Sequence, residues 1–153
     1  MISKRSDLIL DNFIIVESQL SFIIQNEQSE ISTIELLNSY PVDIDFSLEQ
    51  DNNEEFYRIV VTAKINFCDN KEPGYSILAT GMGFFKFSQD TSLNDDQKIQ
   101  MLQTSGLSIC ITNLRSYIAN QTSYFPWGSF SFHAVDIQHL LEEKHKTIEN
   151  DNN

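Results

Sequence analysis

The sequence predicts an α+β domain in which a four-stranded antiparallel sheet carries a long helix and a short C-terminal helix on one face. Three observations lead to this prediction. Residues 42–49, 57–67 and 75–87 alternate apolar and polar side chains, as strands with one buried face do. Short polar segments join these runs and favour hairpins between sequential strands. After Ser88 the apolar residues recur every three or four positions, which is the period of a helix.

The first strand is expected over residues 8–24, where the alternation slips near Asn12 and again near Ser18. Such slips indicate one long strand with a bulge or bend, or two short strands. Residues 25–40 are mostly polar and predict a long connection with room for one helical turn. Pro41 closes this connection.

The long helix is expected to begin near Ser92, because Asp95 three residues later completes a capping-box pattern. A regular helical repeat divides its apolar residues into two stripes. One stripe covers the sheet, and the second has no evident partner within so short a chain. We therefore predict that the second stripe is an oligomer interface with the same helix of another copy. The first stripe is Ile99, Leu102, Gly106 and Ile109, and the second is Leu107, Ile111, Leu114 and Ile118.

Residues 121–133 form a loop dense in aromatic side chains, and a short final helix is expected from about Val135 to Lys146. Two interpretations of the loop are open. It folds under the sheet as a second small core, or part of it lines an exposed apolar groove for a partner. We expect one domain over residues 1–148 and a disordered acidic tail over residues 149–153.

The composition argues against several classes of function. With 10 basic and 22 acidic residues the formal net charge is −12, and no cluster of Lys and Arg is present to bind nucleic acid. Anionic membrane surfaces are disfavoured for the same reason, and no apolar run is long enough for insertion. Cys68 and Cys110 lie far apart in apolar sequence, which favours two buried thiols in a reducing cytoplasm. We expect a soluble cytoplasmic protein without a cofactor.

The residues also argue against an enzyme. Gly81 and Gly83 lie inside a predicted strand rather than in a phosphate-binding loop. His133, His139 and His145 recur every six residues, which places His139 and His145 on different sides of a helix and predicts no metal site.

The C-terminal half has a characteristic order of motifs. A helix containing Arg115 is followed by the pair Phe125-Pro126, and an alternating apolar run then leads into the last helix. Together with Met82–Phe85 in the preceding strand, this order resembles the SecB family of protein-export chaperones. The resemblance covers about residues 8–142, although Ala134 stands where the family has a proline. The apolar run is carried by Phe130, Phe132, Ala134, Val135, Ile137, Leu140 and Leu141.

The resemblance implies a homotetramer built as a dimer of dimers, with ATP-independent holding of non-native polypeptides in apolar grooves. Export chaperones of this family dock on the SecA motor through acidic residues. Gln19, Ile23 and Leu78 stand at the matching positions here, which argues against that contact. SecB-like relatives also serve toxin–antitoxin systems, where the client is an unstable antitoxin.

The leading hypothesis is therefore a holdase for unfolded polypeptides, either preproteins for export or a dedicated client such as an antitoxin. The alternative is a small acidic inhibitor or immunity-type protein that blocks one folded basic partner, which explains the charge but not the aromatic residues. An enzyme ranks third. We expect a client groove lined by the second strand, the crossover and the aromatic loop, through Tyr40, Ile44, Phe46, Phe125, Trp127 and Phe130.

Overall fold

The computed structural model describes residues 5–24, 32–50 and 56–151, with the side chains described as far as Thr147. Within these residues the chain forms one four-stranded antiparallel sheet in the order β1-β4-β3-β2. The predicted α+β class and antiparallel sheet are confirmed. The strands are β1 Leu8–Ile23, β2 Val42–Gln50, β3 Tyr57–Ile65 and β4 Gly74–Phe87. The helices are α1 Thr33–Ser39, α2 Asp95–Met101, α3 Leu107–Thr122 and α4 Ile137–Asp151, with a π-helical segment Leu102–Gly106 between α2 and α3.

β1 is one continuous strand of 16 residues rather than two short strands. Its register against β4 shifts between Leu10 and Asn12 and again between Ile15 and Glu17. The second shift thus lies slightly before the predicted position at Ser18. An extra residue at each shift bends the strand and strengthens its twist, so β1 stays paired along the whole of β4.

The predicted alternation holds in β3, whose inward residues at positions 59, 61, 63 and 65 are at most 1% exposed. β3 is followed directly by Asn66, which has a positive φ of 48°. The Asn66 side-chain amide donates to the carbonyls of Glu72 at 2.8 Å and Tyr75 at 2.7 Å, while its oxygen accepts the Glu72 amide at 2.8 Å. These bonds stabilise the connection to β4. The predicted turn over residues 51–54 lies outside the described residues.

α2 begins at a different capping box from the predicted one. The Asn94 side chain accepts the amide of Gln97 at 2.9 Å, and the Gln97 side chain accepts the amide of Asn94 at 3.0 Å. The prediction of a box at Ser92 and Asp95 is therefore wrong. An Asn–Gln pair with the same spacing, two positions later, supplies both bonds.

The predicted oligomer interface on the long helix is also wrong. Its four residues, Leu107, Ile111, Leu114 and Ile118, are between 0 and 4% exposed in a single chain. The cause is the π-helical segment, where the Leu107 amide donates to the Leu102 carbonyl five residues earlier. The longer π turn brings Leu102, Gly106 and Leu107 to one buried face that continues along the second predicted stripe. Ile99, which the first stripe was expected to place against the sheet, is 42% exposed.

α4 begins two residues later than predicted, after Asp136, whose side chain accepts the His139 amide at 3.1 Å. The helix continues to Asp151, into the segment that we expected to be a disordered tail. In the part of the chain that the structure describes, no helix is both long and apolar enough to span a membrane.

Candidate functional site

An apolar groove, here called the β2 groove, runs along edge strand β2 between that strand and the C-terminal segment. Among the described residues it consists of four adjoining cavities of about 380, 470, 360 and 370 Å³, taken from the α1 end towards the π-helical segment. Neighbouring cavities share lining residues, so the four lie in line along β2. Its apolar lining includes Leu37, Tyr40, Val42, Ile44, Phe46, Leu48, Phe130, Phe132, Val135, Leu140 and Leu141.

The groove follows the free edge of β2. The Pro41 carbonyl accepts the Asn66 amide at 3.0 Å, so the main chain of odd-numbered residues faces β3. The Phe46 amide instead donates to the Asp45 carboxylate at 2.8 Å. Because main-chain groups alternate in direction along an antiparallel strand, the amides and carbonyls of the even-numbered residues 42–48 point away from β3 towards the groove.

An ion pair crosses the groove from β2 to α4. The Lys144 ammonium lies 2.6 Å from the Asp45 carboxylate and 5.8 Å from the centre of the Phe46 ring. Partial burial acts to raise the pKa of Asp45. The hydrogen bonds from Lys144 and the Phe46 amide, with the charges of Lys144 and Lys64, outweigh burial and lower that pKa. The carboxylate is therefore ionised at neutral pH.

The structure brings four of the predicted client-binding residues to the β2 groove. Ile44 and Phe46 are half-buried in its wall, where a ligand can reach them. Tyr40 and Phe130 line the first cavity but are only 5% and 6% exposed, so they form its floor. The Tyr40 hydroxyl donates to the Pro73 carbonyl at 2.7 Å and accepts the Tyr75 amide, which gives this residue a structural role as well.

The other two predicted residues, Phe125 and Trp127, lie elsewhere. Both pack on Phe22 of β1, with ring centres 6.4 and 5.1 Å away respectively, and both contact Tyr75. They are half-buried in this aromatic cluster and are not among the described residues that line the β2 groove. For this part of the loop, the interpretation as a second small core fits the structure.

Sequence reasoning missed part of the groove. Val42 and Leu48 belong to the same alternating run as Ile44 and Phe46, so that pattern already contained the signal for them. Leu140 and Leu141 belong to the apolar run of the C-terminal segment, and they line cavities between α4 and β2 as well as packing against the core.

All three histidines also lie along the groove. His133 and His139 line its second cavity and His145 lines its fourth. The described residues contain no group of three or more His, Cys, Asp or Glu side chains arranged to hold a metal ion.

The fold is similar to a known chaperone structure. The Mycobacterium tuberculosis Rv1957 SecB-like chaperone, solved in complex with a ChAD peptide from the Rv1956 HigA1 antitoxin, matches with a TM-score of 0.56. Sequence identity is 9%, and the match covers 85% of this chain and 91% of that chain. The chain therefore has a SecB-like fold, as the resemblance implied.

A protein of unknown function from Streptococcus agalactiae matches over 86% of this chain and 100% of its own, with 10% identity and a TM-score of 0.38, too low to support an argument. No protein-family model matches the chain, and no curated protein is similar to it in sequence.

Proposed function

We propose that this protein is a holdase chaperone that binds non-native polypeptide segments in the β2 groove without ATP. The observation that carries the proposal is a line of half-buried apolar side chains along a free strand edge, in a chain with a SecB-like fold. The peptide bound in the Rv1957 structure supports a polypeptide as the ligand.

The groove has the dimensions of an extended segment. From Val42 to Leu48 an edge strand spans about 20 Å, the length of about six extended residues. Alternate client side chains enter the apolar cavities, while the client main chain pairs with the free amides and carbonyls of β2. Main-chain pairing is indifferent to side-chain identity, so this mode suits clients of varied sequence.

One cavity does not hold a client tightly. An apolar side chain that buries ~100 Å² gains about 2.5 kcal/mol. Micromolar affinity needs about 8 kcal/mol, beyond the cost of ordering the client. Binding therefore requires several cavities of one groove, or several grooves in an assembly.

We also propose the homotetramer that the SecB-like fold suggests, with its interface on a surface other than the buried face of α3. β1 is the opposite edge strand, and it exposes Ile14 by 41% and Val16 by 55%. These are large apolar side chains that a second copy would cover. Light scattering tests this: a mass near four chains is expected, and a monomer contradicts it.

The proposed setting is the cytoplasm, with no enzymatic step and no cofactor. The net charge of −12 keeps exposed apolar grooves in solution and speeds the capture of basic segments. Gln19, Ile23 and Leu78 provide no carboxylates, so we propose a dedicated client rather than delivery to a SecA-type motor.

The test is suppression of client aggregation by a groove variant. Ile44→Ser with Leu48→Ser removes two cavity walls, and each change should weaken peptide binding about tenfold or more, since a buried aliphatic side chain contributes about 1.5–3 kcal/mol. Ile99→Ser is the matched control, because Ile99 is 42% exposed on α2 and is not among the described groove residues. Equal suppression by the groove variant and the control would show that the groove is not the client site.

The same experiment separates the alternative function. A small acidic inhibitor would bind one folded basic protein with steep salt dependence and would leave unfolded clients to aggregate. The charge of the chain suits that function, but it assigns no role to the β2 groove.

A further inference from the structure

The ion pair between Asp45 and Lys144 crosses the β2 groove, and we propose that it is a gate between the first three cavities and the fourth. This inference rests on the proposed function, because it concerns how a polypeptide occupies the same groove. A short client segment binds while the gate is closed, and a segment that spans the whole groove binds only after the gate opens.

The position of Lys144 supports the division. Phe46 and Lys144 line both the third and the fourth cavity, so they form the wall that the two share. Lys144 closes this wall by reaching from α4 to the Asp45 carboxylate at 2.6 Å, over the Phe46 ring. The first three cavities adjoin through other residues. Val42 lines the first and second cavities and Ile44 lines the second and third, and neither aliphatic side chain forms an ion pair across the groove.

Asp45 also closes the main-chain route at the same point. Its carboxylate accepts the Phe46 amide at 2.8 Å, and that amide is a donor on the free edge of β2. A client strand that pairs with β2 past this residue has to displace the carboxylate. One side chain thus blocks both the cavity path and the strand edge.

The exposure of the pair explains how the gate can open. The side chains of Lys144 and Asp45 are 33% and 67% exposed, and ion pairs in such settings add little to stability. Lys64 also lines the third cavity, where it can pair with the released Asp45 carboxylate. Half-buried Leu140 and Leu141 pack against the hydrophobic core, which holds α4 in place when Lys144 swings away.

The experiment compares two uncharged, end-capped fluorescent peptides of alternating leucine and glutamine, about five and about eight residues long. The shorter fits the first three cavities, and the longer spans the groove. Lys144→Met keeps an unbranched side chain over Phe46 but removes the charge. Lys146→Met is the matched control: it removes the same charge from α4, where Lys146 pairs with Glu143 at 2.6 Å without crossing the groove.

We expect Lys144→Met to raise the association rate of the longer peptide severalfold and to leave that of the shorter peptide unchanged. Added salt should raise the association rate of the longer peptide with the natural protein, because screening weakens the Asp45–Lys144 ion pair. The same salt should not change that rate with Lys144→Met, which lacks the pair. Unchanged binding of the shorter peptide also shows that the variant is folded.

Two results overturn the inference. If both peptides bind but Lys144→Met and Lys146→Met give equal rates for the longer one, the gate is wrong and the proposed function stands. If the natural protein binds neither peptide, the proposed function fails, and the gate fails with it.

Discussion

The α3 side and the β2 side of the sheet differ in how completely they are covered. Under α3, Ile59 and Val61 of β3 and Ile77 of β4 are at most 1% exposed. On β2 the same alternation leaves Ile44 and Phe46 half-buried, beside cavities of about 360 to 470 Å³. An alternating pattern therefore shows which face of a strand is apolar, while the helix that lies against that face decides whether the face becomes core or a binding surface.

The largest contrast is expected in thiol reactivity. Burial raises the pKa of Cys110, on the buried face of α3, to about 12, whereas Cys68 is exposed, so the prediction that both thiols are buried is wrong for Cys68. Cys110 should react only when the core opens, at least about a thousandfold more slowly than Cys68. Reaction with a chromogenic disulfide reagent, with Cys68→Ser to isolate Cys110, measures both rates. Comparable rates would mean that the α3 side is not sealed.

Replacing one leucine by alanine on the α3 side and one on the β2 side should lower the free energy of unfolding by different amounts. Leu114→Ala on α3 removes a fully buried side chain, and it should lower the free energy of unfolding by about 2–5 kcal/mol. Leu48→Ala on β2 removes a half-buried side chain that lines a cavity, and it should lower the free energy of unfolding by well under half of that amount. Urea denaturation measures both changes. Equal losses would contradict the distinction between sealed core and open groove.

A methyl group added under α3 should also destabilise the protein. A Cβ atom at Gly83 would lie 2.5 Å from the Cys110 sulfur and 2.8 Å from the Phe85 ring. We therefore expect Gly83→Ala to cost about 1–3 kcal/mol, as over-packing does. Gly128→Ala is a contrasting variant: its added Cβ meets nothing within 4 Å, and only its φ of 75° opposes the change. Thermal melting compares the two, and full stability of Gly83→Ala would show that α3 packs loosely there.

The smallest effect on stability is expected from the Asp45–Lys144 ion pair that forms the proposed gate. The lowered pKa of Asp45 means that its ion pair with Lys144 stabilises the folded state above about pH 4, and that this contribution disappears as the pH falls through the folded-state pKa. Because both side chains are partly exposed, the contribution should be under about 1 kcal/mol. The stability difference between the natural protein and Asp45→Asn should be constant from pH 5 to pH 8 and vanish in strong acid. A difference that changes across neutral pH would implicate another group.

The groove itself was only partly predictable from the residues. Ile44 and Phe46 were identified because strand alternation placed them on the apolar face of β2. Phe125 and Trp127 were assigned to the same site because they are aromatic and lie in a loop, yet they pack on Phe22, about a hundred residues earlier in the chain. Nothing local to the loop indicates that partner.

Lys144 shows the same limit for charged residues. It belongs to a polar stretch of α4 and pairs with a residue 99 positions away. Its role in the groove follows from the position of α4 beside β2. The pattern of apolar residues within α4 or within β2 does not predict that the two elements lie side by side.

The sequence by itself determined β2, β3 and β4, the apolar face of each of these strands and the existence of the long helix. These follow from the alternation of neighbouring side chains, which is a property of the local backbone. Only the tertiary structure decided which stripe of that helix is buried and where the aromatic loop packs. A single π turn re-phases every later side chain of the helix, and contacts between distant segments choose among surfaces that are equally apolar in the sequence.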